Sequence, residues 1–334
     1  MKVVWVNPDD ELAARPDGMF SDVASVRYRA LIPAKELTAR GHHASVIGLD
    51  RGCFNNVRDQ IADADFVVFR RNHSNPECSE QMLREMTAQG VKTLFDISDD
   101  SFSDEFGPHF LRMSAQAGTI VTASANLQEI VRRHAKRESI VVGDPFEGRR
   151  GEARWLPGRD RLKALWFGNG ANIPSLQAAF PALLNAGNSH PIDLRIVTHY
   201  PGLERACKEF NGRYRHRLSL RYAEWSIKET ASSLAATDFV LIPAMPDARW
   251  TLAKSPNRII ESLWAGRFVV AYPIPSYLEF KDWAWLGADP AEGIAWTVAN
   301  GGAIPDRIRA AQDHIDASYS PQRIGLEWER VLSG

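Results

Sequence analysis

The chain has 334 residues, of which 44% are apolar and 24% charged, with a formal net charge of -1. That length exceeds the roughly 100 to 200 residues of one domain and implies two units, each with apolar material for its own core. The near-neutral balance excludes the broad positive footprint of a nucleic-acid binder, and the ordinary globular composition excludes a long disordered region.

The first residues, Met1-Lys2-Val3-Val4-Trp5-Val6-Asn7, read as a strand running into a loop, without the longer apolar core of a signal peptide. Apolar runs recur at 44–47, 66–69, 93–95, 119–121 and 140–142, with helical periodicity between them, as over 26–39 and 81–89. Short uninterrupted apolar runs are strands buried on both faces, and helical crossovers between them make the sheet parallel. The one dense basic stretch, Arg132-Arg133-His134-Ala135-Lys136-Arg137, reads as a solvated helix face, with contact at a membrane surface as its alternative use. Cys53, Cys78 and Cys207 are odd in number and widely spaced, which fits neither a disulfide framework nor a zinc cluster and suits a reducing cytoplasm. No run reaches the roughly 18 apolar residues that span a bilayer, so any membrane role is peripheral.

Between Asp144-Pro145-Phe146 and Gly158-Arg159 the periodicity gives way to glycine, proline and charge, as in a linker. The strand pattern restarts at 162–167, 194–197, 218–220, 239–242 and 268–271, with helices at 173–184, 227–236 and 256–265 and an amphipathic helix at 323–332. The predicted organisation is α/β: an amino-terminal Rossmann-like lobe over 1–145, a linker over 146–161, a second Rossmann-like lobe over 162–318, and a terminal helix over 319–334 that packs across the lobes. Ligands of doubly wound sheets bind beyond the carboxyl ends of the strands, so two such lobes facing each other enclose a cleft.

The most informative stretch begins after the 239–242 strand. Ser255 is a helix-capping residue type and Pro256 suits a first helical turn. The free N–H groups and positive dipole end of that helix would attract a diphosphate, Lys254 adds a full charge beside them, and Glu261 lies about one and a half turns further in. A capped amphipathic helix ended by Gly266 is the plainer reading of the same residues.

The segment Lys254-Ser255-Pro256-Asn257-Arg258-Ile259-Ile260-Glu261, followed by Trp264-Ala265-Gly266, Val269-Val270-Ala271 and Pro275-Ser276-Tyr277-Leu278-Glu279, resembles the nucleotide-sugar-binding half of GT-B glycosyltransferases. The resemblance is to the large retaining family of bacterial cell-surface and sucrose synthase-like enzymes. It implies that Glu261 holds the ribose and that Ser255, Pro256, Asn257 and Arg258 lie near the phosphates; the arginine and lysine that the family often carries near the Gly168 turn are not evident here, which leaves Lys254 and Arg258 to neutralise the departing diphosphate. The family often carries a further glutamate eight positions before the ribose glutamate. This chain has Ala253 there, which leaves Lys254 or Asp247 to approach the donor sugar.

Gly168, Asn169 and Gly170 join a strand to a helix, where glycines admit close backbone approach to a phosphate or donor sugar. Trp225 follows a strand at the place where the resemblance puts nucleobase contacts. On the acceptor side, Phe95-Asp96-Ile97-Ser98-Asp99-Asp100 ends a strand with three carboxylates, Asp99 and Asp100 serving either an acceptor or the cap of the next helix. His109 and His73 are candidates for orienting the acceptor or the reacting sugar. Arg70 and Arg71 suit an anionic acceptor or the diphosphate, and Ser25, Arg27 and Arg29 open a helix where acceptor contacts commonly lie.

The resemblance implies transfer of a sugar from a nucleoside diphosphate sugar to a carbohydrate or lipid-linked acceptor in polysaccharide or glycoconjugate biosynthesis, with retained configuration. It implies no metal and no tightly bound cofactor. A sugar-nucleotide epimerase of the same fold and a non-catalytic nucleotide-sugar-binding partner are the alternatives.

Overall fold

Alternation of side chains along the first strands fills two separate cores. Val4, Val6, Val67, Phe69, Phe95 and Ile97 enter one cluster, and Val3, Trp5, Phe66, Val68 and Leu94 the other. This is the signature of a sheet covered on both faces. The structure is a computed structural model that describes residues 1–16, 18–49, 57–155, 160–245 and 252–334. Cys53, Asp247 and residues 156–159 of the expected linker lie outside the described residues. The chain forms two units, the first of Met1–Pro145, Ala253–Ser255 and Ser318–Gly334, the second of Phe146–Leu252 and Pro256–Ala317.

The first unit opens with β1 (Lys2–Pro8). A short antiparallel hairpin that the sequence pattern does not predict follows, β2 (Ala13–Arg15) and β3 (Gly18–Phe20). Then come β4 (His43–Leu49), β5 (Phe66–Arg70), β6 (Lys92–Ile97), β7 (Thr119–Thr122) and β8 (Ile140–Val141). Apart from the hairpin the strands form one parallel sheet in the order β4-β1-β5-β6-β7-β8. The order reverses between β1 and β5, a topological switch point. The helix expected over 26–39 runs from Ala24 through a π-helical stretch, Arg27–Leu31, to Ala39. The terminal helix, Pro321–Ser333, belongs to the first unit. Its Trp328 meets Trp5 edge-on at 5.5 Å, and Ile324 and Leu332 complete the second cluster.

The second unit contains β9 (Leu162–Phe167), β10 (Ile192–Thr198), β11 (Leu218–Glu224), β12 (Phe239–Ile242), β13 (Phe268–Ala271) and β14 (Trp285–Leu286). All are parallel, in the order β11-β10-β9-β12-β13-β14, with the switch point between β9 and β12. Residues 146–155, expected as linker, are packed onto this unit instead. Phe146 stacks on Trp264 at 4.0 Å, the Gly151 N–H donates to the Trp264 carbonyl at 2.8 Å, and Trp155 is buried. Two large aromatics in a stretch otherwise rich in glycine and charge are enough to anchor it.

After β12 the helix runs over Asn257–Trp264, with Pro256 at its N-cap and no side chain capping it. The expected Ser255 cap is therefore replaced by a proline entry one residue later. Gly266 ends the segment at φ +77°, where its missing Cβ avoids the Glu152 carbonyl oxygen.

Candidate functional site

In the second unit the end of β9 and the helix after β12 meet at the switch point. Gly168 follows β9 with φ +154°, and a Cβ there would lie 3.4 Å from Arg258 Nη1 and 3.7 Å from its Cδ. Arg258 therefore lies across the glycine. Its Nη1 is 3.5 Å from the Phe167 carbonyl oxygen. Tyr277, in the turn Pro275–Phe280, is 2% exposed; burial pushes its phenol up, and Arg258 opposes that shift. Glu261 is half-buried on the same helix, near enough for its charge to act on Tyr277. Asn257 and Arg258 are half-buried beside the buried Pro256.

Asn169 and Gly170 have local duties as well. The Asn169 side chain accepts from the Ala171 N–H at 2.9 Å and so caps the turn Gly170–Asn172. A side chain at Gly170 would come within 2.5 Å of the His199 carbonyl oxygen and 3.0 Å of the Tyr200 ring. Beyond the ends of β10 and β11, Glu224 accepts from His199 Nδ1 at 2.5 Å and from the Tyr222 hydroxyl. The Tyr222 and His199 hydrogen bonds hold the Glu224 carboxyl below the usual range. Trp225 is half-buried next to this group, its N–H bonded to the Thr198 carbonyl at 3.2 Å.

In the first unit the switch point gathers Asn7, Arg70 and Asp96. Arg70 Nη1 donates to Asn7 Oδ1 at 2.7 Å, and its Nε is 3.9 Å from Asp96 Oδ2. Arg70 is 2% exposed, and burial pushes its guanidinium down to about 10. Asn7 Nδ2, Arg70 Nε and Asn72 Nδ2 are buried without a hydrogen-bond partner. Arg71 pairs with Asp99 at 3.2 Å at the more open edge, and Asp100 accepts from the Phe102 N–H at 3.1 Å, a turn cap. His73 stacks flat on Phe106, with ring centres 3.8 Å apart and planes at 9°. Burial, then Arg71, holds its pKa below the ordinary value.

No family model matches the chain, and no curated protein matches it. Solved structures do. HepE of Anabaena in complex with UDP is similar at a TM-score of 0.72 with 13% identity, over 100% of both chains. A glycosyltransferase from Rickettsia africae gives a TM-score of 0.73 at 12% identity, over 99% of this chain and 97% of that one. AviGT4, a glycosyltransferase of avilamycin A biosynthesis, gives 0.56 at 15%, over 100% and 98%. The chain has the GT-B fold. At these identities the fold is what is shared.

Within the GT-B frame the candidate residues sort by surroundings. Gly168, Arg258 and Glu261 are brought together in the second unit, and Arg70, Arg71, His73 and Asp99 cluster around the carboxyl edge of the first sheet. Lys254 and Ser255 are half-buried. His109 is 3% exposed, near enough to His73 for its charge to act there, and its Nδ1 makes a 2.8 Å bond with Glu80, which also accepts from Arg112 Nε at 2.7 Å. That makes it a packing group between helices, and burial holds its pKa low. Arg29, grouped with the acceptor contacts, is a core residue. It is fully buried between Asp96 at 2.5 Å and Asp144 at 3.1 Å, which keep it charged against the effect of burial.

The basic stretch is partly consumed by structure. Arg132 pairs with Glu129, and Arg137 donates to the Ser114, Ala117 and Gly118 carbonyls. Among the described residues no group of three or more His, Cys, Asp or Glu is placed to hold a metal ion, and no helix is long and apolar enough to cross a membrane. Sequence reasoning passed over Asn7 and His199 as site residues and gave Tyr277 and Glu224 no role of their own. Each stands at or just past a strand end or in the turn beyond one, and that position was their available signal.

Proposed function

We propose that the chain transfers a glycosyl group from a nucleoside diphosphate sugar to an acceptor hydroxyl. The observation that carries this reading is Arg258 lying across Gly168 at the switch point of the second sheet, with Glu261 on the same helix. A fixed guanidinium beside an exposed backbone turn suits a diphosphate, and a carboxylate on the same helix suits paired ribose hydroxyls. The crystallised complexes of HepE with UDP and with UDP-glucose support a nucleotide sugar as the ligand class. The His199–Glu224–Tyr222 group and Trp225 form the corresponding place for the base.

Departure of the nucleotide concentrates negative charge on the diphosphate. Arg258 and Lys254, with the N–H groups that open the Asn257–Trp264 helix, stabilise that charge more in the transition state than in the ground state. The resemblance suggests retention by front-face attack, in which the acceptor oxygen bonds to the anomeric carbon as the bond to the diphosphate breaks and the leaving phosphate oxygen takes the acceptor proton. Ala253 removes the carboxylate that would support this at the donor sugar. The acceptor belongs with the first unit, at Arg71, Asp99 and His73. Because Arg70 and Arg71 already face Asp96 and Asp99, an anionic acceptor would compete with fixed carboxylates, so recognition through hydroxyls is the better fit. A cytoplasmic role in polysaccharide or glycoconjugate assembly is consistent with this chemistry.

A thermal-shift series with UDP, GDP, ADP and dTDP tests the reading. One diphosphate is expected to stabilise the wild type in a concentration-dependent way, and Glu261→Ala to weaken that effect by about tenfold in apparent affinity. Stabilisation by none of the four, or an unchanged response in Glu261→Ala, contradicts it.

A further inference from the structure

The second unit has a further opening, past the ends of β12, β13 and β14. It is a pocket of about 330 Å³ flanked by the helices Ile173–Ala178 and Pro290–Ala299, and Gly168, Arg258 and Glu261 are not among the residues that line it. That volume stands at the lower end of the roughly 300–1,000 Å³ of ligand pockets and suits a single ring. We infer that this pocket binds a neutral sugar ring, seated on Trp285 and hydrogen-bonded by Ser175, Tyr272 and Asp289. The inference goes beyond the proposed function and does not depend on it.

Its seat is rigid. Trp285 is half-buried, and its indole packs against two glycines: a Cβ at Gly287 would collide with the ring, and one at Gly293 would come within 2.6 Å of its Cε3. A side chain at either position would displace the indole, so the ring is held in place before any ligand arrives. The face of such a ring carries the negative part of its quadrupole and attracts the polarised C–H groups on the flat side of a pyranose. Polar groups are also left over around this seat. Among the described residues the Ser175 hydroxyl, the Tyr272 hydroxyl and the Trp285 N–H have no hydrogen-bond partner. Asp289 caps its helix through Oδ1, which accepts from the Ala291 N–H at 2.8 Å, and Oδ2 is unspent. Three groups able to donate and one carboxylate oxygen match a ligand whose hydroxyls both accept and donate. The described lining holds no Lys, Arg or His, so nothing there compensates a phosphate or a carboxylate. An ammonium group would suit Trp285 and Asp289 but would leave the donors facing a group that accepts nothing. A neutral polyol satisfies all of them.

Saturation-transfer NMR tests the inference, with methyl glycosides of glucose, galactose, mannose, N-acetylglucosamine and rhamnose and with disaccharides of the same sugars. Each is titrated with and without saturating UDP or GDP into wild type, Trp285→Leu and the double variant Ser175→Ala/Tyr272→Phe, with thermal melting to establish folding. At least one glycoside is expected to bind wild type equally with and without nucleotide, and Trp285→Leu to bind it about tenfold more weakly. The double variant removes only hydroxyls that bond to nothing in the protein, and it too is expected to lose about tenfold in affinity. Tighter binding of a disaccharide than of its methyl glycoside would identify the ligand as a residue of a glycan chain, and equal binding as a single sugar. Binding by no glycoside, unchanged affinity in either folded variant, or displacement of the sugar by UDP or GDP each overturns the inference. A stronger response to inorganic phosphate or tetramethylammonium than to any glycoside overturns it as well. Should Trp285→Leu not fold, the double variant carries the test alone: an unchanged affinity overturns the inference.

Discussion

Arginines in this chain differ in how far burial and pairing tie them to the fold. Arg29 is closed in by Asp96 and Asp144 with no exposed side-chain surface. Arg71 meets Asp99 with 27% and 48% of the two side chains exposed. Removing one partner of a buried pair leaves an uncompensated charge, so Arg29→Met is expected to cost about 3–5 kcal/mol. Arg71→Ala is expected to change stability by less than about 1 kcal/mol. Urea unfolding midpoints distinguish the two, and equal losses would contradict the assignment. Ala253, where the resembling segment would carry a glutamate, is also set by its surroundings. Ala253 is 1% exposed within the apolar cluster of the first unit. A glutamate introduced there would be a buried, unpaired carboxylate, so Ala253→Glu is expected to lower the melting temperature sharply. A variant as stable as wild type would show that the position is less enclosed than its burial indicates.

Elements built from unbroken apolar runs were legible in the sequence. The parallel strands of both units follow from such runs, because a strand covered on both faces needs apolar side chains at every position. The hairpin Ala13–Arg15 with Gly18–Phe20 was not legible, since its residues are mostly exposed and carry no burial pattern. The 146–155 stretch was misread because Phe146 and Trp155 anchor it from a background of glycine and charge. The terminal helix was legible as amphipathic, but its apolar stripe does not say which sheet it covers. Trp328 and Ile324 on the Val3–Trp5 side of the first unit supply that answer. Ending the chain after Tyr319 would uncover Trp5, and about 2–5 kcal/mol of first-unit stability is expected to be lost with Trp328 and Leu332. An unchanged unfolding curve for the truncated chain would contradict that packing.

At the scale of the whole molecule, two histidines of the first unit set an expected pH dependence of stability. His73 and His109 both titrate below the ordinary value, with burial as the first cause. Above an unfolded pKa of about 6.5 both states are neutral and the full stability is present. As the pH falls from there toward the depressed folded values, the unfolded chain takes up protons that the folded chain refuses, and stability is lost. Urea midpoints between pH 7.5 and 5.5 are expected to fall for wild type and to fall less for His109→Gln; parallel slopes would contradict the burial of that histidine. The candidate site was half legible. Arg258 and Glu261 stand in a recognisable segment, whereas the placing of Arg258 across Gly168 joins residues distant in sequence, which no local pattern encodes.

The central claim is glycosyl transfer assisted by Arg258, and acceptor-dependent release of nucleoside diphosphate measures it directly. Wild type is incubated with UDP- and GDP-sugars, with and without a panel of neutral sugar acceptors, beside a folded Arg258→Met variant. The account predicts nucleotide release from one donor that rises with an acceptor and falls by about a hundredfold in the variant. Conversion of a donor to its epimer without release, no release from any donor, or equal release by wild type and Arg258→Met would contradict it.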